Sequence, residues 1–225
     1  RFKEAKYYIR KLGNNQLYIS FLLRNGKLEE AIFSTLDMLM PQSFFVETIV
    51  SFCLRNGIMN DMLAIIDKYE HQQKNQQQRQ HQESATAKSH SYLTATCKYL
   101  NERQAFNLLY RVQLFMKDDI RAGLTCIRLF MLAQPMDVEL KLKRLESAKQ
   151  HFQDSMLNRQ ASSTVTSPTK PILKPEEISK YLKTINLQTE VTKTMAKLTL
   201  SMTDPQQQTS YMKLSLFESI KSKCE

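Results

Sequence analysis

"LLRNGKLEEAI", residues 22–32, carries a glycine in a chain that has only four, at 13, 26, 57 and 123. The same word recurs within "CLRNGIMNDMLAII", residues 53–66, so Leu-Arg-Asn-Gly stands at 23–26 and again at 54–57, 31 residues further on. An apolar pattern of helical spacing precedes each copy and another follows it. Glycine closes a helix C-terminus in the left-handed conformation without the penalty a Cβ brings. Gly26 and Gly57 are therefore expected to be the turns of two αα-hairpins.

Working outward, Leu17, Tyr18, Phe21 and Leu22 mark the helix before the first turn, and Leu28, Ala31, Ile32, Leu36 and Leu39 the helix after it, with Pro41 as its stop. Ser43 is a candidate cap for the next helix, striped by Phe45, Ile49 and Phe52-Cys53; Ile58, Met62, Ile65, Ile66 and Tyr69 follow the second turn. Residues 1–70 thus read as helical hairpin repeats. "HQQKNQQQRQHQESATAKS", residues 71–89, has almost no large apolar residue to offset its ordering entropy, and is expected to be a disordered insertion. Helical periodicity resumes at Tyr92, Ala95, Thr96 and Tyr99, and the polar "LNER" (100–103) stands where a glycine stood before, a degenerate third turn. Ala105, Leu109, Val112 and Met116 stripe the helix that follows. Asp118 and Asp119 suit the start of another, with Ile120, Leu124, Ile127 and Met131 on one face and Pro135 beyond. Val138, Leu142, Leu145, Phe152 and Met156 extend the helical region 90–159. Residues 160–174 read as a linker, in which Ser167-Pro168 is either a proline-directed phosphorylation site or an ordinary linker dipeptide. Pro175-Glu176-Glu177 opens a long helix striped by Ile178, Leu182, Ile185, Val191, Met195 and Leu198. After "DPQQQ" (204–208), Tyr211, Leu214, Phe217 and Ile220 close the C-terminal helical region 175–225.

This pattern predicts an all-α fold, an α-solenoid of TPR-like helix–turn–helix hairpins with disordered insertions. Composition agrees: 42% hydrophobic residues supply a core, and six prolines with four glycines leave few turns. The start at Arg1 without a methionine and the stop after Cys224-Glu225 read as a piece cut from a longer polypeptide. No secretory segment opens the chain, and the apolar run near Leu124–Met136 is broken by Arg128, far short of the ~20 residues a membrane span needs.

Chemistry is harder to write. Phosphate-cradling loops need clustered glycines, and these are scattered. Cys53, Cys97, Cys126 and Cys224 lack metal or disulfide spacing and read as free thiols in a reducing cytosol. His71, His81 and His90 are too dispersed for a metal site. Glu29-Glu30 and Asp118-Asp119 belong to helix starts. The expectation is a non-enzyme with no cofactor and no metal. The formal charge of +10 is spread through the helices without a run of five or six, so no specific nucleic acid is expected. An RNA-binding helical-repeat module stays open as the alternative. Arg121 and Arg128, seven residues apart, share a helix face beside an apolar stripe. They suit either an acidic protein partner or ion pairs with neighbouring helices.

Two stretches, "ERQAFNLLYRVQLFMKDDIRAGLTCIRLFM" (102–131) and "KPEEISKYLKTINLQTEVTKTM" (174–195), resemble the C-terminal helical region of the spastizin family of large FYVE-domain proteins. The order of the "NGKLEEAI" turn, the Phe-Met-x-Asp-x-Ile-Arg-Ala junction and the Ile-x-Leu-Gln-x-Glu-Val helix fits, and the resemblance covers most of residues 1–200, departing at 71–89. It implies a scaffold acting in endosome and lysosome trafficking, autophagic lysosome reformation and cytokinesis. It also implies a cytoplasmic location peripheral to late-endosome and lysosome membranes, with spatacsin and the fifth adaptor-protein complex as partners. In that family zinc and lipid binding belong to a FYVE domain, whose cysteine cluster this sequence lacks, so membrane contact is expected only indirectly.

Overall fold

The computed structural model describes residues 1–76, 85–134, 137–161 and 173–199, and every element among them is helical. The chain folds as two compact units, Arg1–Leu108 and Leu109–Glu225.

In the first unit the order is α1 (Phe2–Lys11), α2 (Asn15–Arg24), α3 (Leu28–Asp37), α4 (Gln42–Phe44), a π-helix (Phe45–Val50), α5 (Ser51–Asn56), α6 (Met59–Gln76) and α7 (Ala85–Glu102). Gly26 and Gly57 have φ +68° and +69°. At the first turn the Gly26 amide donates to the Leu23 carbonyl (3.1 Å) and the Lys27 amide to the Leu22 carbonyl (2.9 Å). At the second, Gly57 donates to Leu54 (3.3 Å) and Ile58 to Cys53 (3.0 Å). This is the Schellman arrangement, in which one left-handed residue satisfies carbonyls the helix end would leave open.

The same pair of bonds closes three helices without glycine. Leu39, Gln104 and Lys117 sit at φ +50°, +56° and +56°. The following residues, Met40, Ala105 and Asp118, donate to the carbonyls of Thr35, Leu100 and Gln113 at 3.2, 2.9 and 3.0 Å. The third turn is thus shifted from the expected 100–103: α7 runs through Glu102 and the left-handed residue is Gln104. Helix α1 and the turn at Gly13 (φ +68°) fall within the expected helical region 1–70, where no apolar stripe is assigned to them.

Four further details depart from expectation. Ser43 lies inside the helix rather than capping it, because Pro41 precedes α4 and accepts from the Phe45 amide (3.1 Å). Leu17 is exposed while Ile19 is buried, since α2 turns Tyr18, Ile19, Leu22 and Leu23 toward α3. The Gln-rich stretch is narrower than 71–89: α6 continues through residues 71–76 and α7 begins at Ala85, while 77–84 lie outside the described residues. Gln and Lys are good helix formers, and buried Ser89 of α7 donates to Glu70 of α6, tying the two helices together. Residues 90–108 accordingly belong to the first unit, where α7 packs on α6 and the π-helix.

The core of this unit follows from helix spacing. The wider i→i+5 winding of the π-helix turns the adjacent pairs Phe45-Val46 and Ile49-Val50 inward together. Phe45 packs on Tyr92 of α7 (ring centres 5.0 Å apart), and the Tyr92 hydroxyl donates to the Met40 carbonyl.

The second unit follows the boundary early in α8 (Phe106–Phe115), with α9 (Asp119–Leu132), α10 (Val138–Ala161) and α11 (Pro175–Thr199). Helix α9 packs on α10 and α10 on α11. Eight of the fourteen residues of α9 are buried, so it is enclosed on most of its circumference rather than along one stripe. Gly123 permits this: a Cβ there would meet three Phe152 ring atoms at 3.1–3.3 Å. Phe152 is fully buried and stacks on Tyr181 of α11, ring centres 5.3 Å apart. In α11 the expected stripe holds at Ile178 and Ile185 and then rotates: Gln188 and Thr192 are buried, while Val191 and Met195 are half-buried and Leu198 is exposed. Gln188 donates to Thr192 at 3.3 Å, which pairs two of the buried polar groups. Pro175 opens α11, where the Glu177 carboxylate accepts from the Lys174 amide (2.9 Å). Pro135, Ser167, residues 162–172 and residues 200–225 lie outside the described residues.

A Cβ at Gly26 or Gly57 would meet nothing within 4 Å, so only backbone strain opposes substitution. Gly26→Val and Gly57→Val should each cost more than ~1 kcal/mol in chemical denaturation, whereas Lys117→Gly at an exposed left-handed position should stabilise by about 0.5–1 kcal/mol. Gly123→Ala should destabilise by ~1 kcal/mol, because overpacking against a ring held on both sides outweighs the gain in helix propensity. Neutral outcomes at both turn glycines would contradict the cap assignment.

Candidate functional site: a tyrosine–histidine–aspartate chain

Three helices of the second unit converge on a polar chain. Asp118 caps α9, accepting from the Arg121 amide at 3.2 Å, and this places Asp119 in the first turn with its carboxylate directed at α10. His151 of α10 has Nδ1 3.1 Å from Asp119 Oδ1 and Nε2 2.9 Å from the Tyr110 hydroxyl of α8. A carboxylate only accepts, so Nδ1–H donates, and the neutral ring is left with Nε2 as acceptor for the tyrosine proton. The Tyr110 and His151 rings meet edge to face, centres 5.6 Å apart. Asn158, seven residues after His151 and so on the same face of α10, brings its amide to 3.5 Å from the other Asp119 oxygen. His151 and Asp119 side chains are only 12% and 24% exposed.

The Cys126 thiol of α9 lies beside the Tyr110 hydroxyl. Burial pushes the Cys126 thiol up to about 11. Burial first, and the Cys126 contact second, push the Tyr110 hydroxyl up to about 12. Hydroxyl, imidazole and carboxylate stand in the order of a nucleophilic triad. The hydroxyl, however, is a phenol that stays protonated near neutral pH, as does the adjacent thiol. The constellation is chemically suited to holding α8, α9 and α10 in register. Nearer the start of α10, Lys141 is 95% buried with its ammonium 5.4 Å from the Phe130 ring centre, and burial lowers its pKa.

Of the residues singled out in the sequence, Arg121 pairs with Asp118 of its own helix, 2.7 Å from the cap carboxylate, rather than with a neighbouring helix. Arg128 is half-buried on the same helix. Cys53 and Cys126 are buried free thiols and Cys97 is a half-buried one; Cys224 lies outside the described residues. Among the described residues no group of three or more His, Cys, Asp and Glu could hold a metal ion, and no helix is long and apolar enough to cross a membrane. In the first unit an open groove of about 510 Å³ runs along α3 past Phe33, but its carboxylates are engaged. Glu29 pairs with Lys68 (2.6 Å), Glu30 with Lys6, and Asp37 accepts from Tyr69 (2.8 Å). Sequence reading missed His151, because its partners lie 32 and 41 positions away. The one local trace was Asp119, an acid beside a cap that needs only Asp118.

No family model matches the chain, and no solved structure matches it. Curated proteins do. A Dictyostelium discoideum protein is 28% identical over 227 aligned residues, covering 100% of this chain and 7% of that one. Zinc finger FYVE domain-containing protein 26 of Homo sapiens is 28% identical over 197 residues, and that of Bos taurus 27% over 196; each covers 85% of this chain and 7% of the relative. The chain is similar to zinc finger FYVE domain-containing protein 26. It spans about 7% of the length of these relatives.

Tyr110→Phe should cost about 1–2 kcal/mol, because His151 Nε2 is left buried without its donor, and a Tyr110→Phe/His151→Gln cycle should show coupling of at least ~0.5 kcal/mol. Additive effects would mean the chain does not act as a unit. A second expectation concerns pH. Thiols at Cys53 and Cys126 are raised from 9.0 to about 12 and about 11, both by burial. The unfolded chain therefore sheds these protons first as pH rises. Their stabilisation is complete below pH 9 and is lost as pH climbs through 11 to 12, which denaturation midpoints across that range would show. A midpoint independent of pH there would contradict burial of both thiols.

Proposed function

We propose that the chain is a non-catalytic helical-repeat scaffold, a solenoid segment of a spastizin-like protein that offers helical surface to other proteins. The observation that supports it most is the recurring helix end: the same two-amide turn stands at 26/27, 39/40, 57/58, 104/105 and 117/118. Such units bury one face on a neighbour and leave the other for binding. Similarity to zinc finger FYVE domain-containing protein 26 over 85% of the chain supports the spastizin-like assignment. On this reading the parent protein works in the cytoplasm at late-endosome and lysosome membranes, in trafficking, autophagic lysosome reformation and cytokinesis, with spatacsin and the fifth adaptor-protein complex as partners. The net charge of +10 favours a second reading, an RNA-binding repeat module.

Titration of the purified chain with purified spatacsin and with the adaptor complex should give saturable binding of at least one. Failure of both would overturn the partner assignment. Arg121→Glu/Arg128→Glu tests whether those arginines take part: lost binding with an unchanged melt means docking, and unchanged binding removes them from the interface. Arg121 alone should contribute no more than ~0.5 kcal/mol to stability, since its ion pair is exposed. Binding to single-stranded RNA that survives physiological salt would favour the second reading, whereas steep loss with salt marks charge alone.

A further inference from the structure

Helix α11 carries more apolar surface than one neighbour covers. At about 100° per residue, Tyr181, Ile185, Gln188 and Thr192 fall within about 60° of one another, and all four are buried. Beside that face, Leu187, Val191, Met195 and Leu198 fall within an arc of about 80°. Leu187 is 62% exposed and Leu198 50%, while Val191 and Met195 are half-buried. No charged residue between 187 and 198 enters this arc. Glu190, Lys193 and Lys197 lie on the remaining side, where Lys193 pairs with Glu190 at 3.2 Å. From Leu187 onward the helix therefore has three sectors: one buried, one apolar and open, one polar. The apolar stripe of a helix with a single core to face is a little over ~100° wide, whereas Leu187 to Ile185 spans about 160°. The open flank does not stand at an end of the sequence, since residues 200–225 follow Thr199.

We propose that residues 209–224 return along α11 as an antiparallel helix and cover this flank. Asp204-Pro205 opens the "DPQQQ" stretch, and a proline disfavours helical backbone at the residue before it, so the chain has a place to turn after α11. Beyond it, Leu216, Phe217, Ile220 and Cys224 fall within about 100° at helical spacing, with Lys221 and Lys223 on either side. Register follows from the connection. A return centred on Asp204 sets Phe217 opposite Val191, Ile220 beside Leu187, and Cys224 opposite Thr184. Thr184 is half-buried and lies in the same arc as Leu187 and Val191. Lengths agree as well: helix over 209–224 would span about 24 Å, and the flank from Thr184 to Leu198 spans about 21 Å. A segment tethered this closely meets the flank at high effective concentration, which favours it over a partner from solution. The inference uses helical spacing and chain length and is independent of the scaffold reading.

The test is amide hydrogen exchange of the 225-residue chain, read by peptide mass spectrometry. Amides 213–224 should exchange on the order of 100-fold more slowly than in an unstructured peptide. Leu187→Asp should remove at least about tenfold of that protection, while the amides of α9 and α10 keep theirs. A second measurement uses the native Cys224 thiol. In the Thr184→Cys variant a short bis-maleimide should join residues 184 and 224 within one chain, whereas Lys193→Cys, on the polar side, should not be joined to Cys224. Free exchange of 213–224 in wild type overturns the proposal. So does protection that Leu187→Asp leaves intact, or a cross-link made equally well from Lys193→Cys. Protection or cross-linking that disappears on dilution also overturns it, since a second copy would then be the occupant. Should Leu187→Asp unfold the unit, exchange in wild type and the two cross-linking variants still decide.

Discussion

The reversal of the chain at a helix end sets the terms for everything else in this protein. A helix stops with open carbonyls, and a buried end must satisfy them. Here the repeated solution uses two consecutive amides, one donating three residues back and the next five residues back, around a single left-handed residue. The solution is compact. Helix α2 ends at Arg24 and α3 begins at Leu28; α8 ends at Phe115 and α9 begins at Asp119. After the first of these turns α3 packs back on α2, and it packs on α6 as well. Where the left-handed residue is not glycine, as at Leu39, Gln104 and Lys117, strain on the order of 1 kcal/mol is carried by the packing around it.

The second unit shows what close approach requires. Gly123 removes a side chain at the point where Phe152 of α10 presses on α9, and Tyr181 of α11 backs that ring from the other side. The three helices share one apolar cluster that runs from Ile127 and Phe130 through Leu145 and Phe152 to Ile178 and Ile185. At its margin the Asp119–His151–Tyr110 chain replaces apolar contact with directed bonds. Hydrophobic contact of this kind tolerates sliding, whereas a histidine between a carboxylate and a phenol accepts one alignment of three helices. The same burial that makes these bonds firm keeps the thiol and the phenol protonated. Structural order and chemical quiet therefore have one cause.

Helical hairpins divide their surface between neighbour and solvent, and the two ends of that division are visible in α9 and α1. Helix α9 is buried on most of its circumference, Arg121 being spent on its own cap. Helix α1 buries nothing completely and leaves Tyr7, Tyr8 and its cations Lys3, Arg10 and Lys11 exposed.

Helix identity and much of the core were legible in the sequence, because helical spacing of apolar residues and the energetic uniqueness of glycine at positive φ are local properties. The Leu-Arg-Asn-Gly copies marked two turns, Asp118 and Pro175 marked two helix starts, and each stands where local chemistry put it. Tertiary structure decided what has no local trace. It placed left-handed strain on Leu39, Gln104 and Lys117, residues whose own preference is otherwise. It turned Gln188 and Thr192 inward, at a cost their mutual bond offsets, and left Leu187 and Leu198 outside. It joined His151 to Asp119 and Tyr110 across 32 and 41 residues. A periodic pattern tells a helix which face is apolar, but which neighbour meets that face, and how far each helix is rotated toward it, is settled only when the helices pack.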